Sequence, residues 1–142
     1  MRLLLNLIVA LVLLATPAFA QGGMAPWQGI AVSQAPEAGL GVCLGPDIKQ
    51  AMTCAQQQCM SESGLGAEDC RADLWCYPHG FAADLFMQHA EGPHWHEFLC
   101  GAQDQAELDA LIAVKCDRDY LIECSAVRIW DADSNELPGT VD

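Results

Sequence analysis

Eight cysteines constrain this chain more than any other feature: Cys43, Cys54, Cys59, Cys70, Cys76, Cys100, Cys116 and Cys124. An even count in a short chain reads as a disulfide framework if the protein matures in an oxidising compartment. The rival uses of cysteine are zinc binding and dithiol redox chemistry. Neither is supported, because the sequence contains no C-x-x-C. Four bridges would each add roughly 2–4 kcal/mol, mainly by restricting the unfolded chain. They would supplement a core that is modest at this length.

The N-terminus supplies the route to such a compartment. Met1 and Arg2 precede an apolar run from Leu3 to Leu14, and Thr16-Pro17 leads into Ala18-Phe19-Ala20. A charged start, a short apolar stretch and an A-x-A site form the pattern of a secretory signal peptide. The run is about a dozen residues, short of the roughly 20 that span a bilayer. Residues 1–20 are therefore expected to be removed, with no membrane attachment afterwards. Residues 21–131 are expected to form one disulfide-bonded domain, and 132–142 an acidic flexible tail.

Loss of Arg2 would leave five Lys/Arg against nineteen Asp/Glu, a net charge of −14 with histidines neutral. That surface repels phosphate backbones and anionic lipids, so nucleic acid is excluded as a partner. A cationic protein partner is compatible with it. Nothing in the charge pattern speaks to oligomeric state.

Strand and helix signals recur in order. Trp27 to Val32 and Leu40 to Leu44 read as a hairpin, with Ser33 to Gly39 as its turn. Asp47 then caps a helix with Ile48, Ala51, Met52, Ala55 and Cys59 on one face. Ala72 to Tyr77 reads as a strand, and Phe81 to Gln88 as a strand paired with it. Trp95 to Cys100 is a further strand. Asp104 opens a second helix with Leu108, Leu111, Ile112 and Cys116 inward, and Cys124 to Trp130 is the last strand.

The two halves match. Cys43 to Cys59 and Cys100 to Cys116 share a spacing of sixteen, and the same offset of 57 places Asp47 on Asp104. Ala51, Cys54 and Ala55 fall on Leu108, Leu111 and Ile112. The expected fold is therefore α+β: an antiparallel sheet with two helices on one face, in two pseudo-repeats of (β)β-α-β. A helix ending in Cys, followed within about ten residues by a strand opening in Cys, suggests local pairs Cys59–Cys70 and Cys116–Cys124. Cys43, Cys54, Cys76 and Cys100 can pair in three ways. Cys54 faces the sheet, which makes Cys43 or Cys76 its expected partner.

Trp27-x-Gly29-Ile30-Ala31, a Gly-bearing second strand, an Ala-rich helix ending in Cys59 and Cys70 opening the next strand resemble a bacterial exported family, domain of unknown function 4189. The resemblance covers residues 27–76 and, more faintly, 95–130. Gln28 intrudes in the strand motif, and Cys43, Cys54 and Cys76 are additional. The resemblance implies an exported α+β domain and brings no catalytic residues.

Three constellations could carry chemistry. His89, His94 and His96, with Met87 and Glu97 nearby, could hold zinc or copper, because residues 94 and 96 share a strand face. Asp131-x-Asp133-x-Asn135 has the oxygen spacing of a calcium loop, but Glu136 stands where glycine is needed. Nucleophilic catalysis lacks a G-x-S-x-G motif; a small hydrolase would need a cleft in which a histidine touches a carboxylate. No cofactor is implied. The expectation is a binding module rather than an enzyme, with a cationic protein as partner and a transition metal on the histidines as the alternative.

Overall fold

The computed structural model describes residues 27–140. The expected signal segment 1–20 and residues 141–142 lie outside them. Among the described residues are seven strands and two helices.

The first half begins with β1 (Gly29–Ala35) and β2 (Gly39–Gly45), an antiparallel hairpin with Val32 opposite Val42. Helix α1 (Ile48–Ser63) follows; the Asp47 carboxylate accepts from the Gln50 N–H at 2.8 Å. Gly64 ends it in the left-handed conformation. The face laid on the sheet is small, with Ala51, Ala55 and Cys59 one turn apart and buried. Its match is Gly41 of β2, where a Cβ would lie 1.8 Å from the Ala55 carbonyl oxygen. Alanine on the helix and glycine on the strand bring the two backbones together. Strand β3 (Arg71–Cys76) then pairs with β1, giving the order β2-β1-β3.

The second half repeats this plan. It contains β4 (Phe81–His89), β5 (His94–Ala102), α2 (Gln105–Cys116), β6 (Leu121–Trp130) and β7 (Glu136–Thr140). The order is β5-β4-β6-β7. In each half the first strand is central, its hairpin partner lies on one side, and the strand after the helix lies on the other. Asp104 caps α2 as Asp47 caps α1, accepting from the Glu107 N–H at 2.9 Å.

The α+β class, the antiparallel pairing, the two helices and the disulfide stapling stand as expected, but the sheet is divided. Ala31, Cys43, Ala51 and Ala55 form a core between α1 and the first sheet. Ala83, Leu85, Met87, Leu99, Leu108 and Ile129 form another between α2 and the second. Ile30, Ala82 and Trp130, with Val42, Leu44, Phe98 and Cys100, meet between the sheets. Each helix covers the outer face of its own sheet.

Three local expectations change. Phe81 to Gln88 does not pair with the strand before it; β4 pairs with β5 and β6. The run is buried on both faces, so it belongs at a sheet centre, whereas β3 is largely exposed. Leu111 is exposed, and Leu108 is the buried residue of α2. The segment 132–142, expected as a flexible tail, contains β7 on the edge of the second sheet.

All eight cysteines are paired. Cys59–Cys70 and Cys116–Cys124 are the two local links, from each helix to the strand region after it. Cys43–Cys54 fastens α1 to β2, and Cys76–Cys100 joins the two sheets. Four such bonds mark an oxidising environment. No helix among the described residues is long and apolar enough to cross a membrane.

Candidate functional site

The sheets meet tightly at one end and separate at the other. Cys76–Cys100, Ile30, Ala82 and Trp130 close the first end. Towards the β1–β2 turn the gap opens into a cleft of about 470 Å³. One wall is residues 34–40 with Glu62 of α1; the other is Asp84, Phe86, His94, His96, Val127 and Arg128 of the second sheet.

Alternation along β4 explains the polar centre. Ala83, Leu85 and Met87 point at α2, which leaves Ala82, Asp84 and Phe86 for the inter-sheet side. Asp84 is fully buried. A buried carboxylate is tolerated only with partners, and two strands supply them. Arg128 lies opposite it on β6 and donates to Oδ2 from Nε at 3.2 Å and Nη2 at 3.1 Å. His96 on β5 places Nδ1 2.6 Å from Oδ1. With the other carboxylate oxygen accepting from Arg128, Oδ1 accepts from His96 Nδ1, and Nε2 is the nitrogen left over. The Arg128 guanidinium also lies 5.5 Å from the centre of the Trp130 ring.

Of the histidines expected as metal ligands, His94 and His96 line the cleft, flanking Phe86 with ring centres 5.6 and 5.8 Å away. His89 does not join them. It lies at the end of β4, stacked on Tyr120, and its Nδ1 accepts from the Glu91 N–H at 3.0 Å. Met87 is buried in the α2 core, and Glu97 pairs with Lys115 of α2. The described residues contain no group of three side chains suited to a metal ion. The one-residue alternation that unites 94 with 96 sends 87 and 97 to the opposite face.

The calcium-like spacing at Asp131 has a structural explanation. Asp131 Oδ1 accepts from the N–H groups of Asp133 and Asn135 at 3.0 and 2.8 Å, closing the β6–β7 turn. These bonds, led by the Asn135 side chain, hold its carboxyl below the usual range. His79, in the link between the halves, is buried. Burial lowers its pKa.

No family model, curated protein or solved structure matches the chain.

Asp84 and Arg128 were not singled out from the sequence, although a signal exists. Each is a charge in an otherwise apolar strand run, Phe81–Met87 and Ala126–Trp130. Two opposite charges so placed would have to find one another. What the arrangement offers chemically is a fixed guanidinium, an oriented imidazole with an available acceptor nitrogen, and an acidic rim at Glu37 and Glu62.

Proposed function

We propose that the protein is an exported, non-enzymatic binding module, acting in the periplasm or outside the cell, that captures a cationic protein partner at the mouth of the inter-sheet cleft. The observation that carries this reading is the composition of the cleft. Glu37 and Glu62 stand at its rim in a chain of net charge −13, and Arg128, the one cation among the described residues lining the cleft, is paired with Asp84 through one edge at its floor. Such a mouth favours positive charge and steers it in from a distance. The disulfide-held sheets limit the ordering cost of binding.

A histidine does touch a carboxylate here, which a hydrolase would need. Two features favour binding over catalysis. No hydroxyl or thiol side chain is among the described residues lining the cleft. Asp84 is not dedicated to the histidine: its Oδ2 takes both Nε and Nη2 of Arg128, so the carboxylate serves first as a buried link between strands.

The test is titration of the oxidised protein with a lysine-rich peptide and an uncharged peptide of equal length. Binding of the basic peptide should fall steeply between about 0.01 and 0.5 M salt as the Debye length shrinks. Salt-insensitive binding, or equal affinity for the uncharged peptide, sinks the reading. Glu37→Gln with Glu62→Gln should weaken the basic peptide selectively.

A further inference from the structure

Arginine has two forked donor edges, the side edge of Nε and Nη2 and the end edge of Nη1 and Nη2. In Arg128 the side edge is occupied by Asp84, at 3.2 and 3.1 Å. On the end edge only Nη2 is engaged, through one of its two N–H groups, and Nη1 has no hydrogen-bond partner among the described residues. The side chain is 30% exposed and lines both the main cleft and an adjoining cavity of about 410 Å³ that Glu62 and Glu136 also line. The buried carboxylate of Asp84 and the Trp130 ring, 5.5 Å from the guanidinium carbon, hold the group in place. A fixed, half-used guanidinium facing a cleft is built to receive a planar pair of oxygens.

From this geometry we infer that the cleft seats the terminal carboxylate of a peptide or protein of net positive charge, with Arg128 as its receptor. The inference rests on the proposed capture of a cationic partner and names the group that enters the cleft. Asp84 holds His96 by its other oxygen, so imidazole and guanidinium sit side by side. With Nδ1 committed to Asp84, His96 has Nε2 left to meet the backbone N–H of the same terminal residue. Phe86 and Val127 give that residue's side chain an apolar wall. Glu37 and Glu62 repel ligands carrying several negative charges and attract the cationic body that brings the single carboxylate to Arg128.

The experiment compares a lysine-rich hexapeptide bearing a free C-terminal carboxylate with its C-terminal amide, by calorimetry on the oxidised protein. The free acid should bind at least about tenfold more tightly than the amide, the order of one charge-assisted forked contact. Arg128→Lys keeps a cation beside Asp84 but lacks the second fork, so the preference should collapse to within about twofold. His96→Gln, checked by the same urea midpoint as the parent, should weaken acid and amide alike, because both carry the terminal N–H that Nε2 accepts; if Arg128→Lys does not fold, the acid-to-amide ratio of the parent protein decides alone. Glu37→Gln should weaken both peptides equally and leave their ratio intact. Equal affinity for acid and amide overturns the carboxylate seat while leaving capture of cations standing. Binding of neither peptide overturns both.

Discussion

His79 Nε2 lies 2.8 Å from Ser134 Oγ, a contact between residues 55 apart that ties the link joining the two halves to the β6–β7 turn. The backbone of His79 reaches further: its N–H donates to the Gln28 carbonyl at 3.1 Å, and its carbonyl accepts from the Gly101 N–H at 2.6 Å. One residue thus joins the start of β1, the end of β5 and the last turn. Nδ1 is buried without a partner, and burial disfavours the imidazolium, lowering the pKa from 6.5. In the unfolded chain the ring takes up a proton at its ordinary pKa, so the unfolded state binds protons first. Stability is then full above pH 6.5 and falls as pH drops from there to the lowered folded value. Urea unfolding at pH 7.5 and 5.5 should show this slope, and His79→Gln should remove it. The same substitution should cost about 1–3 kcal/mol at pH 7.5 through loss of a buried partner. A slope unchanged in His79→Gln refutes the assignment. Asp131 acts in a separate window. Its lowered pKa contributes stability above 3.8 that is lost as pH falls through the folded value.

The staple between the sheets should matter more than the shortest local one. Cys76–Cys100 closes a separation of 24 residues and Cys116–Cys124 one of 8. Chain entropy alone gives about 3.4 kcal/mol for the first and about 2.5 kcal/mol for the second. Cys76→Ala with Cys100→Ala should therefore lower the urea midpoint more than Cys116→Ala with Cys124→Ala. It should also loosen the closed end of the cleft, seen as faster amide exchange at Gly101. Peptide mapping without reductant checks the four connectivities directly.

How far the sequence led follows the reach of each signal. The aspartate caps, the alanine face of α1 and the two helix-to-strand cysteine pairs depend on neighbours within about a dozen residues, and periodicity exposes them. The division into two sheets does not. It depends on whether β4 extends the first sheet or starts another, and strand alternation reads the same in both cases. Cys76 could be matched to Cys100 only with that topology in hand. The polar centre was hidden for a similar reason. The histidines are neighbours in sequence, while Asp84 and Arg128, 44 residues apart, each look like a lone charge in a strand. β7 was obscured by Pro138-Gly139, which reads as a turn. On an edge strand a missing N–H costs no ladder bond when it faces away from the neighbour.

The Asp84 centre should behave as a coupled unit. Asp84→Ala removes the shared acceptor and leaves Arg128 and His96 facing one another without a counter-charge. Because Arg128 keeps 30% exposure, the loss should fall below that of a wholly buried pair, at about 1–3 kcal/mol. Adding Arg128→Met to the same chain should recover part of that loss, since the uncompensated charge goes with it. The double-mutant cycle should then give a coupling energy of about 1–3 kcal/mol. Additive losses would mean that the two side chains do not hold each other.

Strand β7 turns the C-terminal segment into a stability test. Its ladder sets Trp130 opposite Glu136, Ile129 opposite Leu137 and Arg128 opposite Pro138. Leu137 packs on the α2-side core of the second sheet, and β7 covers what would otherwise be the free edge of β6. A chain ending at Asn135 keeps the Asp131 turn and Ser134 but loses both the cover and the leucine. Leu137→Ala alone should cost about 1–2 kcal/mol, as expected for a half-buried leucine. The truncation should cost more, because the edge of β6, next to Arg128, opens to water and to pairing with other chains. Urea midpoints measure the first effect, and light scattering at rising concentration measures the second. If residues 136–142 can be removed with no change in either, β7 contributes nothing to the fold, and the edge of the sheet lies at β6.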